Sequence, residues 1–220
     1  MAGTASAKVT PRALLWAEFG ALFIAAPLAI ALFLPPRQMF GALFAFTLVG
    51  LFLIWRTGQF DWRGLGRGWA RVDWRRAAGF AVAVGLVSWG GVQLTAPQAA
   101  LGLWRDHPRL LLLIWLLYPL LSALPQELIF RALFFHRYAT LMGGPRAALW
   151  VNAAVFSLAH LMYWNLLVAA MTFAGGFIFA RAYVSRGFPS ALVLHALAGN
   201  MLFTAGMGLY FYSGNVVRPF

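Results

Sequence analysis

Residues 110–138 read LLLLIWLLYPLLSALPQELIFRALFFHRY, an apolar run into which Gln126, Glu127 and Arg131 are set. A helix rises about 1.5 Å per residue, so this run is longer than the ~30 Å hydrocarbon core of a bilayer demands. It predicts a membrane-spanning helix with a kink at Pro125, because proline lacks a backbone donor and clashes with the preceding turn. A charged side chain at bilayer depth costs about 2.5 kcal/mol or more, so Glu127 and Arg131 are expected to serve a purpose there.

The rest of the chain repeats the pattern. Of its 220 residues, 62% are hydrophobic and 10% charged, against about 25% charged in a soluble domain. Further apolar runs cover residues 14–34, 39–55, 77–94, 147–162, 166–184 and 190–209. Together they predict an all-α, polytopic transmembrane helical bundle of about seven spans, with any catalytic core on the late spans. The first run is too long and too firmly closed by proline to be a removable signal. No repeat or linker divides the sequence, so residues 1–220 are expected to form a single integral membrane domain.

The net charge of +12 raises nucleic acid as a partner, but the cations lie between the apolar runs. With the N-terminus in the cytoplasm, one side holds Lys8, Arg12, the six arginines of residues 56–76, Arg131, Arg137, Arg146, Arg181 and Arg186. The other side holds Arg37, Arg105, Arg109 and Arg218. That asymmetry is the bias that orients membrane proteins, and it points to anionic membrane lipid as the partner and to no nucleic acid. Trp62, Trp69 and Trp74, interleaved with arginines, suit a segment lying in the headgroup region. A single lysine, with much Ala, Gly and Trp, points to a bacterial inner membrane. The absence of cysteine excludes a disulfide framework, a thiolate nucleophile and Cys-ligated metal.

Few residues remain that can carry chemistry. Asp61, Asp73 and Asp106 fall in loops and Glu18 near the start of the first run, which leaves Glu127 alone at depth. Arg131, four residues on, shares its helix face and forms either a structural ion pair or a functional partner. His107 is in a loop and His136 reads as an interfacial anchor, whereas His160 and His195 lie within late spans. Counted from the cytoplasmic helix ends, Glu127, His160 and His195 sit very roughly 16, 21 and 12 Å deep, so they can share one pocket. A carboxylate whose proton affinity is set by burial against a neighbouring guanidinium is a candidate general base for water. His160 then shares that water, and His195 and Asn200 donate to a tetrahedral oxyanion. Two His and one Glu also match some catalytic zinc sets, so a metal held by Glu127, His160 and His195 stays open; without HExxH spacing, a metal-free base ranks first.

The order of QExxxR at Gln126–Arg131, FxxxH at Phe156–His160, and a late His195 followed by Asn200 resembles the CPBP family of intramembrane proteases. That family is also called the CAAX prenyl endopeptidase or Abi family, and the resemblance spans a core of about residues 110–212. It implies an endopeptidase in which the Glu of the first motif activates water, the His of the second assists, and the final His and Asn form the oxyanion hole. The substrate it implies is a membrane-embedded or lipidated protein or peptide tail. Two departures stand out. The family has two adjacent Glu where this chain has Gln126 and Glu127, and its Asn stands four residues after the last His, whereas Asn200 stands five after His195. Gly199 is expected to let the helix deform between them. Gln126 keeps a second reading open, a non-catalytic scaffold, immunity factor or chaperone of the same fold. A proton-coupled transporter ranks third; rhomboid and presenilin types lack their motifs here.

Overall fold

The computed structural model describes residues 10–219, so Lys8 lies outside the described residues. Among the described residues the chain forms a bundle of seven principal helices and no strand. They are α1 (Arg12–Phe33), α2 (Pro36–Thr57), α3 (Trp74–Thr95), α4 (Pro108–Met142), α5 (Pro145–Ala159), α6 (Leu166–Arg186) and α7 (Phe188–Ala205). All but α5 are long and apolar enough to cross a membrane. The fifth apolar run forms only 15 α-helical residues and continues as a 3₁₀ turn, Leu161–Tyr163. That continuation brings Trp164 to the far end of α1, where its indole Nε1 donates to the Ala31 carbonyl (3.3 Å). The expected bundle therefore has six long crossing helices and a shorter seventh.

Contacts sort the connections onto two faces. On one, His136 Nε2 meets the Gly58 carbonyl (3.3 Å), and Arg186 lies 3.7 Å from Asp73. On the other, Leu101 N–H donates to Ala205 O (3.1 Å), and Arg218 donates to the carbonyls of Leu32 and Leu34. Between the faces, the outer surface is apolar: Leu48 and Phe52 on α2, Val82 and Leu86 on α3, and Leu112 and Leu116 on α4 are all exposed. A water-soluble monomer rarely shows so continuous an apolar surface, whereas a hydrocarbon solvent calls for it.

Two proline helices depart from the α pattern in the same way. A π-helical segment, Ala21–Ala25, precedes Pro27 in α1, and another, Pro119–Ala123, precedes Pro125 in α4. Proline has no N–H for the carbonyl four residues back, and the wider ladder makes room for its ring. Beyond Glu127, α4 runs as a second π-helical stretch, Leu128–Tyr138. Such stretches are usually single-turn bulges and concentrate at functional sites.

The main core sits where α4 meets α1 and α2, with Phe19, Phe23, Ile54, Leu133, Phe134 and Tyr138 all buried. Arg131 and Arg137 also lie inside. Arg131 has no exposed side-chain surface, and Arg137 donates to both Glu18 carboxylate oxygens (2.7 and 2.9 Å) and pairs with Thr57. By sequence both stand among the orienting cations of the cytoplasmic side. Their partners draw them into the bundle instead, so they are bundle residues, not loop charges.

Candidate active site

Glu127 lies on the inner side of α4 with no exposed surface. Its Oε1 accepts a hydrogen bond from His195 Nδ1 on α7 (2.9 Å), and its Oε2 is 3.3 Å from Arg131 Nε. The second ring nitrogen of His195 stays unbonded to the protein, because the carboxylate holds Nδ1 and fixes the tautomer. Arg131 is held from three sides. Its Nη1 donates to Asn152 Oδ1 (2.7 Å) and Phe130 O (3.3 Å), and its guanidinium lies over the rings of Phe156 (4.9 Å) and Phe179 (5.8 Å). Asn152 Nδ2 donates to the same Phe130 carbonyl (2.5 Å). A carboxylate, an amide and two aromatic faces around the buried cation offset part of the solvation it loses, while Arg131 Nε and Nη2 and Glu127 Oε2 complete no hydrogen bond.

The ring of Phe156 organises the rest. His160 packs against it at 4.7 Å and His195 at 5.5 Å, so the two histidines approach one another across this ring, not through a hydrogen bond. His160 Nδ1–H donates to Phe156 O (2.7 Å), which leaves Nε2 as a free acceptor. Asn152, Phe156 and His160 recur every four residues and so share one face of α5. Phe179 stacks on His195 (4.8 Å, 13° between planes). Gly176 lets α6 approach this closely, since a Cβ there would lie 3.0 Å from Phe156 Cδ1 and 3.2 Å from Ala153 Cα.

Glu127, Arg131, Asn152 and His195 form a buried floor, while Tyr118, Gln126, His160 and Tyr163 form a half-buried rim. Gln126, next to Glu127, turns away from it and donates through Nε2 to Ser122 Oγ (3.0 Å). Asn200 stands outside the cluster, with its amide nitrogen donating to Trp115 O (3.2 Å). The helix deformation expected at Gly199 does not occur. Helix α7 stays α-helical through Ala205, and the missing side chain at 199 instead admits the ring of Tyr118.

Glu127, His160 and His195 do not fit a zinc ion as arranged. Among the described residues no three His, Asp or Glu side chains converge on one point, and Glu127 and His195 spend their facing atoms on each other. Asn152, Phe179 and Tyr118 did not stand out in the sequence. Asn152 carried a readable signal, an amide in an apolar run eight residues before His160. The two aromatics carried none in a chain with 20 Phe and 6 Tyr.

A membrane-spanning α-helical bundle whose interior holds a carboxylate–imidazole pair beside a buried guanidinium belongs to the class of integral membrane proteins with a polar centre at depth. Residues 108–211, which carry every member of this centre, match the family model described as type II CAAX prenyl endopeptidase Rce1-like, and over this segment the chain is similar to that family. No curated protein and no solved structure matches the chain.

Proposed function

We propose that the chain is an intramembrane endopeptidase of the glutamic type, hydrolysing a peptide bond in a membrane-embedded or lipidated protein or peptide tail. The observation that carries this reading is the buried hydrogen bond between Glu127 Oε1 and His195 Nδ1 (2.9 Å), with Arg131 beside the other carboxylate oxygen. A water bound at the rim is oriented by His160 Nε2 and gives its proton to His195 Nε2, the open basic atom of the pair, while Glu127 Oε1 holds Nδ1–H and balances the charge that forms. Its oxygen attacks the scissile carbonyl carbon, and the carbonyl π pair moves onto oxygen. The proton then resides on the imidazole of the Glu127–His195 pair, which stays joined through the Nδ1–H to Oε1 hydrogen bond. In its imidazolium form His195 keeps Nδ1–H on Glu127 and presents Nε2–H to the oxyanion. Collapse of the tetrahedral intermediate breaks the C–N bond and returns the proton to the leaving nitrogen. Arg131 Nε faces the other carboxylate oxygen (3.3 Å), and no step passes through a metal. The charge asymmetry of the loops supports a cytoplasmic N-terminus, and the composition supports a bacterial inner membrane.

The reading is tested by reconstituting the purified protein with candidate tail peptides, prenylated and not. Wild type cleaves, Glu127→Gln and His195→Ala lose activity by at least about 10²-fold, and His160→Ala loses less. Exhaustive chelation leaves wild-type cleavage intact. Equal processing by all variants, or zinc removed and restored in step with activity, overturns the assignment.

The complete burial of Glu127, with Gln126 at the neighbouring position, favours the second reading of a non-catalytic relative. For that reading, Gln126→Glu creates hydrolysis where wild type has none.

A further inference from the structure

One turn beyond His195, on the same side of α7, stands Gly199. On a regular α-helix residue i+4 is only about 40° round from residue i, whereas i+5 is about 140° round. Asn200 therefore points elsewhere, and its amide nitrogen and backbone carbonyl belong to a clamp with Trp115 O (3.2 Å) and Thr204 Oγ1 (2.7 Å). The volume beside His195 is filled from α4. A Cβ at residue 199 would lie 2.0 Å from Tyr118 Cε1, 2.2 Å from Cζ and 2.6 Å from the phenolic oxygen. The Tyr118 ring also stands edge-on to His195 (6.1 Å, 70°).

The polar groups behind that phenol have a direction. Tyr118, Ser122 and Gln126 recur every four residues along one side of α4. Gln126 Nε2 donates to Ser122 Oγ (3.0 Å), one turn along α4 from Tyr118. A serine hydroxyl has one proton and accepts with its lone pairs. With Gln126 donating into a lone pair of Ser122, the Ser122 proton is left to point toward the Tyr118 side of the helix, so that the phenol is free to donate toward the rim. A neutral amide at position 126 starts this chain of donors. A carboxylate there would accept from Ser122 and reverse it.

We infer that the Tyr118 hydroxyl is a catalytic residue, the second hydrogen-bond donor to the oxyanion opposite His195 Nε2, with Gln126 and Ser122 as positioning residues behind it. This rests on the peptidase reading above. Removing one oxyanion donor costs on the order of 10² in kcat, because the bond is made in the transition state and not with the substrate.

The test is steady-state cleavage of a tail peptide by the reconstituted full chain. Tyr118→Phe, which keeps the ring and so the packing over Gly199, lowers kcat on the order of 10²-fold with KM nearly unchanged and the same unfolding temperature. Gln126→Leu lowers kcat by a smaller factor and has no further effect in the Tyr118→Phe background, as expected for groups acting through one hydroxyl. Tyr118→Ala combined with Gly199→Asn, which places an amide in the vacated volume, regains activity over Tyr118→Ala alone. Wild-type kcat in Tyr118→Phe overturns the inference while leaving the peptidase reading standing. A wild type that cleaves no tail peptide overturns both.

Discussion

Arg131 is the largest fully buried side chain among the described residues, and it faces Glu127 at 3.3 Å. Neither has exposed surface, so each supplies the other with an opposite charge in place of lost water, beside the hydrogen bonds of Glu127 with His195 and of Arg131 with Asn152. Breaking such a pair by removing one partner leaves an uncompensated buried charge and costs about 3–5 kcal/mol, more than the pair is worth relative to two apolar residues. Arg131→Met is therefore expected to lower the unfolding temperature in detergent sharply, and Glu127→Gln/Arg131→Met to recover much of that loss. An unchanged melting temperature in Arg131→Met would show that the guanidinium is held by Phe156, Phe179 and Asn152 without need of the carboxylate. Glu127, Arg131, His160 and His195 were legible in the sequence because a titratable group in an apolar run stands out by its cost. The contacts that turn those residues into a site were less so. Asn200 carried the expected residue type, yet a single residue of helical rotation turns it from His195 toward Trp115. Tyr118 reaches the same place from another helix, which no spacing along α7 encodes.

At the scale of elements, the apolar runs marked the helices, and 3.6-residue spacing was enough to pair Glu127 with Arg131. It did not anticipate the π-helical segments of α1 and α4, whose cause is a proline two residues downstream in each case, Pro27 and Pro125. Nor did apolar length reveal where α5 stops, because its 3₁₀ continuation is as apolar as the helix. The junction of α3 and α6 is polar and can be tested. Asp73 caps α3 by accepting from Arg76 N–H (3.0 Å) and also faces Arg76 Nε (3.1 Å) and Arg186 Nη2 (3.7 Å). The backbone hydrogen bond from Arg76, followed by the charges of Arg76, Arg186 and Arg75, holds its carboxyl below the ordinary aspartate value. A depressed folded-state value means that the carboxylate contributes stability above its unfolded pKa of about 3.9, and that this is lost as pH falls through the folded value. Asparagine caps a helix about as well as aspartate, so Asp73→Asn removes the charge and keeps the cap. The variant should melt below wild type near neutral pH, and the gap should close only in strong acid, below the ordinary aspartate range. A gap that stays constant across that range would assign the effect to the cap alone.

For the whole molecule, the crossing pattern and the charge asymmetry are separate arguments that meet in one orientation. The contacts place the loop of residues 58–73 and the C-terminal residues 206–219 on opposite faces, since the first packs near Arg186 and His136 and the second near Leu32, Leu34 and Ala205. Taking Arg131 and Arg137 out of the count, as their burial requires, removes two cations from the cytoplasmic tally but leaves Arg56, Arg63, Arg67, Arg71, Arg75 and Arg76 on that side. Short basic loops resist translocation, so the face carrying these six is expected in the cytoplasm. The absence of cysteine makes this directly measurable, because wild type gives no background with a thiol reagent. Gly66→Cys lies in the basic loop, and Val217→Cys replaces a residue that is 83% exposed near the C-terminus. A membrane-impermeant maleimide applied to intact cells should label Val217→Cys and spare Gly66→Cys, and inverted membrane vesicles should reverse the pattern. Labelling of both from one side would break the two-face assignment and with it the odd number of crossings. A reversed pattern would keep the crossings but invert the protein, placing the basic loop of residues 58–73 on the side of the membrane opposite to the one the arginines predict.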